Sequence, residues 1–155
     1  MSKIDKLIKK LDIELPNPPL PIGNYLAHTI VNNLIYISGQ LPINKKGQLI
    51  QGKLGDNLNL EEGKEAAKLC ILNSIAHLKN AVKDLDRVKK CVKINGYINS
   101  TKDFTEHAAL LNSASDTLVQ IFGEKGKHVR AVVGLESLPL GAAIEIETIF
   151  EIEKC

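Results

Sequence analysis

The chain has 155 residues, 44% hydrophobic and 25% charged, with a formal net charge of +2, which predicts one ordinary globular domain with a sizeable core. Its near-neutral, interspersed charge gives no electrostatic case for nucleic acid, and no apolar run approaches the roughly 18 residues of a membrane span. The N-terminus carries lysines throughout and has no apolar signal core, so a cytoplasmic protein is expected.

Residues 2–11 set Ile4, Leu7, Ile8 and Leu11 at helical spacing with lysines opposite. This predicts a short amphipathic helix docked on the protein's own body rather than on a membrane. The following LPNPPLPIGNY holds four prolines, which force an extended path that delivers Tyr25 to the sheet. Residues 1–22 are thus read as an N-terminal helix and extended segment, and 23–155 as the main domain. Two apolar runs, LAHTIV and LIYIS, flank Asn32-Asn33, which is hairpin chemistry. The second ends in Ser38-Gly39-Gln40, and a Gly-, Asn- and Lys-rich loop follows to Asn59.

Asn59 followed by Glu62 is a helix-start signal. The stripe Ala67, Cys70, Ile71, Ile75, Leu78 and Val82 then predicts a helix of about six turns, with Cys70 in the core and His77 off the stripe and exposed. In VKKCVKINGYIN, 88–99, Val92, Ile94, Gly96 and Ile98 alternate against Cys91, Lys93, Asn95, Tyr97 and Asn99, as in a strand. Ser100 or Thr101 is expected to cap a second helix, burying Phe104, Ala108, Leu111, Ser115, Leu118 and Phe122 and stopping at Gly123. Cys70, Cys91 and Cys155, odd in number and without CxxC spacing, are expected as free thiols.

The last stretch, 126–152, reads as two strands around a turn. Alternation puts Val129, Ala131, Val133 and Leu135 on one face and His128, Arg130, Val132 and Gly134 on the other. In the next strand Ala142, Ile144, Ile146, Phe150 and Ile152 oppose Glu145, Glu147, Glu151 and Glu153, with Ile149 an apolar intruder. Arg130 and Glu145 are therefore expected on the polar side of one sheet. There a guanidinium fork suits a carboxylate and a carboxylate can hold a water; the plain alternative is a surface ion pair with the glutamate stripe. The order β-β-α-β-α-β-β predicts an α+β fold with two helices on one sheet face. The other face, with Val132, Ile149, Tyr97 and part of LIYIS, is too apolar for solvent and wants a second copy as cover.

Five ordered pieces carry a further implication: GNY at 23–25, NLIYISGQLP at 33–42, LDRVKKCVKINGYINSTKDF at 85–104, HVRAVVGLESLP at 128–139 and AIEIETIFEI at 143–152. With these the chain resembles the YjgF/Rid (reactive intermediate deaminase, L-PSP-type) family. The resemblance implies a chorismate-mutase-like fold, a homotrimer with clefts between subunits, and cofactor- and metal-free hydrolysis of enamines and imines such as 2-aminoacrylate to 2-keto acids and ammonia. It assigns carboxylate binding to Arg130, water holding to Glu145, and cleft positions to Tyr25, Ser38 and Asn112. Two departures stand out: Val132 occupies a position that is often cysteine, leaving only its backbone carbonyl to act, and the segment from Phe104 to Asn112 is longer than usual. Hydrolysis of an already electrophilic C=N needs mainly positioning. A ribonuclease or translation inhibitor, with His128 recruited beside Arg130, and a non-catalytic binder of small carboxylates are the competing readings. The first lacks a basic groove and stacking aromatics.

Overall fold

A computed structural model describes residues 1–154. The elements follow the expected order: α1 (Lys3–Lys10), β1 (His28–Val31), β2 (Leu34–Gln40), α2 (Leu60–Val82), β3 (Val88–Asn99), α3 (His107–Phe122), β4 (Val129–Leu135) and β5 (Ile144–Ile152). The strands form one mixed sheet in the order β1-β2-β5-β3-β4. β3 and β4 run parallel, joined through α3 as a parallel pair requires, and the other neighbours are antiparallel. The β1–β2 hairpin turns at Asn32-Asn33, where Asn32 takes φ 55°, a left-handed conformation that asparagine tolerates.

α2 starts with the expected capping box, Asn59 and Glu62 exchanging two bonds of 2.8 Å. Every residue of its predicted stripe is buried. His77, expected exposed, is only 7% exposed, because the proline-rich segment runs over this part of α2 and sets the Pro19 carbonyl beside the ring. Burial, helped by nearby His28, lowers the His77 pKa. α1 docks on the body as expected. The Asp86 carboxylate accepts from the Lys3 and Ile4 amides at 2.8 and 2.9 Å, Asp5 pairs with Lys79 at 2.6 Å, and Ile8 is buried.

Three local expectations need correction. α3 begins at His107 rather than after Ser100 or Thr101, and its N-cap Glu106 makes no side-chain cap bond. Ser100 instead extends the sheet edge, its amide bonded to the Leu135 carbonyl. The buried stripe of α3 includes the predicted Leu111, Leu118 and Phe122 but runs on through Leu110, Ala114, Thr117 and Ile121, leaving Ala108 exposed and Ser115 partly buried. In β3 a register shift between Cys91 and Lys93 breaks the alternation, so Cys91, opposite Phe150, and Ile94, opposite Thr148, face the same side. Cys70 and Cys91 are free and buried. Burial raises both thiols, Cys91 to about 12, which leaves them inert; Cys155 lies outside the described residues.

α2 and α3 cover one sheet face, where Ser74 meets Thr148 at 2.6 Å and Leu111 fills the space beside Gly96. The other face is open. It carries Tyr36, Ile149, Tyr97, Val129, Val133 and Glu145, as register requires. Val132 is not among them, contrary to expectation: it packs toward the core on the helical side. No helix among the described residues is long and apolar enough to cross a membrane.

Candidate functional site

Glu145 lies on the open face of β5, beside β2. Its carboxylate occupies the space a side chain at Gly39 would need, so only glycine there lets the two strands hold it in place. Burial, and then the charge of Glu147, raise the Glu145 pKa, the direction expected for a carboxylate with few solvating partners. Glu147 is itself anchored, accepting from Tyr97 Oη at 2.6 Å and Asn95 Nδ2 at 2.9 Å. That hydrogen bond, with burial, pushes the Tyr97 pKa up to about 12.

A groove of about 550 Å³ opens over Glu145. Tyr25, Ser38 and Gly39 line it, with Leu20 and Ile22 from the proline-rich segment and Leu140 from the turn before β5. Ser38 organises the wall: its hydroxyl donates to the Leu26 carbonyl at 2.7 Å and its amide to the Ala27 carbonyl at 2.9 Å, so the chain after Tyr25 is tied to β2. The groove lining includes no lysine or arginine.

Arg130 is elsewhere. It pairs with Ile94, which pairs with Thr148, whereas Glu145 pairs with Tyr97 and through it with Val133. Arg130 and Glu145 therefore point to opposite faces of the sheet, and the expectation of one shared polar side is wrong. The alternating sets expected for β4 and β5 hold, but on β4 the set with arginine faces the helices. The guanidinium lies against α3, donating to Ser115 Oγ at 2.9 Å and to the Ala108 carbonyl at 3.3 Å. Ser115 Oγ is also 2.8 Å from His128 Nε2, and His128 Nδ1 is 2.7 Å from the Gly126 carbonyl. A carbonyl can only accept, so Nδ1 donates to Gly126. Asn112, four residues after Ala108 and three before Ser115, belongs to the same exposed flank of α3.

The model of the family described as "YjgF/chorismate mutase-like, putative endoribonuclease" matches residues 6–151. The chain belongs to this YjgF family. Protein TCP17 of Trypanosoma cruzi is 40% identical over 94% of this chain and 91% of its own. The 2-iminobutanoate/2-iminopropanoate deaminase of Bos taurus is 31% identical over 94% of this chain and 92% of its own. Among solved structures, Atu1372 of Agrobacterium tumefaciens, of unknown function, superposes with a TM-score of 0.89 at 37% identity, covering 97% of this chain and 94% of that one.

Within this YjgF chain the expected site residues thus fall into two groups. Tyr25, Ser38 and Glu145 meet in the groove; Arg130, Val132 and Asn112 sit on or beside β4 and α3. Sequence reading missed Gly39 and Glu147 as partners of Glu145, and took Ser115 for core. The ISGQ run and the EIE triplet held signals for the first two, a glycine inside a strand and two carboxylates at i, i+2 on one face. Nothing in helical spacing alone separates Ser115 from a buried position.

Proposed function

We propose that this YjgF protein hydrolyses reactive 2-imino acids and their enamine tautomers to 2-oxo acids and ammonia, at sites shared between copies of the chain. The observation that carries the reading is Glu145, a carboxylate with a raised pKa in a groove whose lining has no lysine or arginine, together with the deaminase name of the bovine relative. Since Arg130 and Glu145 of one chain face opposite sides of the sheet, one copy contributes Tyr25, Ser38 and Glu145 while a neighbouring copy contributes Arg130, Asn112 and the Val132 carbonyl. A homotrimer supplies that arrangement, and the apolar open face, with Tyr36 and Val133 exposed, supplies the surface to bury.

In the proposed site Arg130 clamps the substrate carboxylate. Glu145 takes a proton from water as the water oxygen bonds to the imine carbon, and the C=N pair moves to nitrogen. The proton held by Glu145 passes to that nitrogen, giving the carbinolamine; Glu145 then takes the hydroxyl proton and hands it to the amine, so that the C–N bond breaks and ammonia leaves as the carbonyl forms. A carboxyl with a raised pKa is suited to both directions of transfer. The endoribonuclease in the family's description is disfavoured here, since the groove lining offers no run of lysines or arginines to follow a phosphate backbone.

The test is ammonia release by the purified protein from freshly generated 2-aminoacrylate or 2-iminobutanoate. A rate no higher than spontaneous hydrolysis, with a folded assembly, removes the reading in favour of a non-catalytic carboxylate binder.

A further inference from the structure

The groove over Glu145 is much larger than a three-carbon imine requires. At about 550 Å³ it lies in the range, roughly 300–1,000 Å³, that drug-sized ligands occupy. Its outer wall is apolar and comes from two segments the proposed chemistry does not use. One is the proline-rich strap, which holds Leu20 at 86% and Ile22 at 69% exposure. The other is the turn at Pro139–Gly141, where Leu140 is 59% exposed and takes φ 59°.

A leucine in the left-handed region is strained. Gln51 Nε2, bonded to the Leu140 carbonyl at 2.7 Å, and the Gly52 amide, bonded to the Gly141 carbonyl at 3.0 Å, hold it there. Its side chain lines the same groove as the strap. Leu20, Ile22 and Leu140 thus line the outer part of the groove over Glu145, and with the carboxylate held by Arg130 of a neighbouring copy, the substrate's side chain is the part left to meet them.

Resting on the deaminase reading, we infer that Leu20, Ile22 and Leu140 form a side-chain pocket that selects 2-imino acids with aliphatic or aromatic side chains of four or more carbons. The chemistry at the C=N bond is unchanged: water oxygen adds, the C–N bond breaks, and no oxidant or reductant takes part.

Imines made in situ by an L-amino-acid oxidase from alanine, 2-aminobutyrate, leucine and phenylalanine provide the series, with calorimetric binding of the matching 2-oxo acids as a second readout. The parent is expected to favour the leucine- and phenylalanine-derived imines over the alanine-derived one by about 10-fold or more in kcat/KM. Leu20→Ser combined with Leu140→Gly should bring that ratio close to one. Leu20 is almost fully exposed, and glycine at 140 relieves backbone strain, so both changes spare the fold. A parent preference for the short imine, or a double variant with an unchanged ratio, overturns the pocket. If no imine is turned over, the deaminase reading falls and binding alone decides: tighter 4-methyl-2-oxopentanoate than pyruvate, lost in the double variant, keeps the pocket, and equal binding ends it.

Discussion

Glu145 is where pH should be felt. Its pKa is raised, first by burial and then by Glu147, and only the ionised form can accept a proton from water. The rate should therefore fall as pH drops through a value above the ordinary glutamate range. In Glu147→Gln, with one of the two causes removed, the acid limb should move to lower pH, which a pH–rate profile of both proteins reads directly. Stability runs the other way: a carboxyl that binds its proton more tightly when folded loses stability as pH rises through the raised pKa. Glu145→Gln should thus be at least as stable as the parent at neutral pH while its rate constant falls ~100-fold or more. Arg130 depends on Ser115 for aim. Arg130→Lys, which keeps charge and loses the fork, should lose most turnover. Ser115→Ala should raise KM more than it lowers kcat, and Ser115→Thr should restore it.

Among the elements, α1 shows what the N-terminal helix does for the fold. Asp86 holds its first amides, Lys79 pairs with Asp5, and Ile8 enters the core. Ile8→Ala should cost about 2 kcal/mol, the low end for such a truncation because the helix is terminal, and should speed tryptic cleavage at Lys9 and Lys10; unchanged denaturation midpoints would mean that α1 contributes little. This docking was legible in the spacing of Ile4, Leu7 and Ile8, as the α2 start was in Asn59 and Glu62 and the hairpin in Asn32-Asn33. These are local patterns with local causes. What escaped depended on contacts distant in sequence. His77 is buried because a proline strap sixty residues earlier crosses it, and Cys91 turns inward because of one register shift in β3. Arg130 looked like part of an outer polar face, since the odd residues of β4 are the more apolar set. In the fold that set, Val129, Ala131 and Val133, is exposed, and the even set meets α3.

For the molecule as a whole, the α+β order and the need to cover one sheet face were both readable, and the division of the site was not. Arg130 lies on one face and Glu145 on the other; under the proposed function a single chain would hold two halves of different sites, and a ring of copies would complete them. Such a ring would use unlike surfaces at every interface, so each proposed site would draw its two halves from different chains. Co-expressing Arg130→Ala and Glu145→Gln chains in equal amounts tests this most directly. Each variant alone should be nearly inactive. If sites span copies and chains mix at random, about one quarter of the sites in the mixture receive an intact arginine and an intact glutamate, and about a quarter of the parental deaminase rate should return. A mixture no more active than the two variants measured separately, with mixed assemblies demonstrated by mass spectrometry, would contradict the shared site.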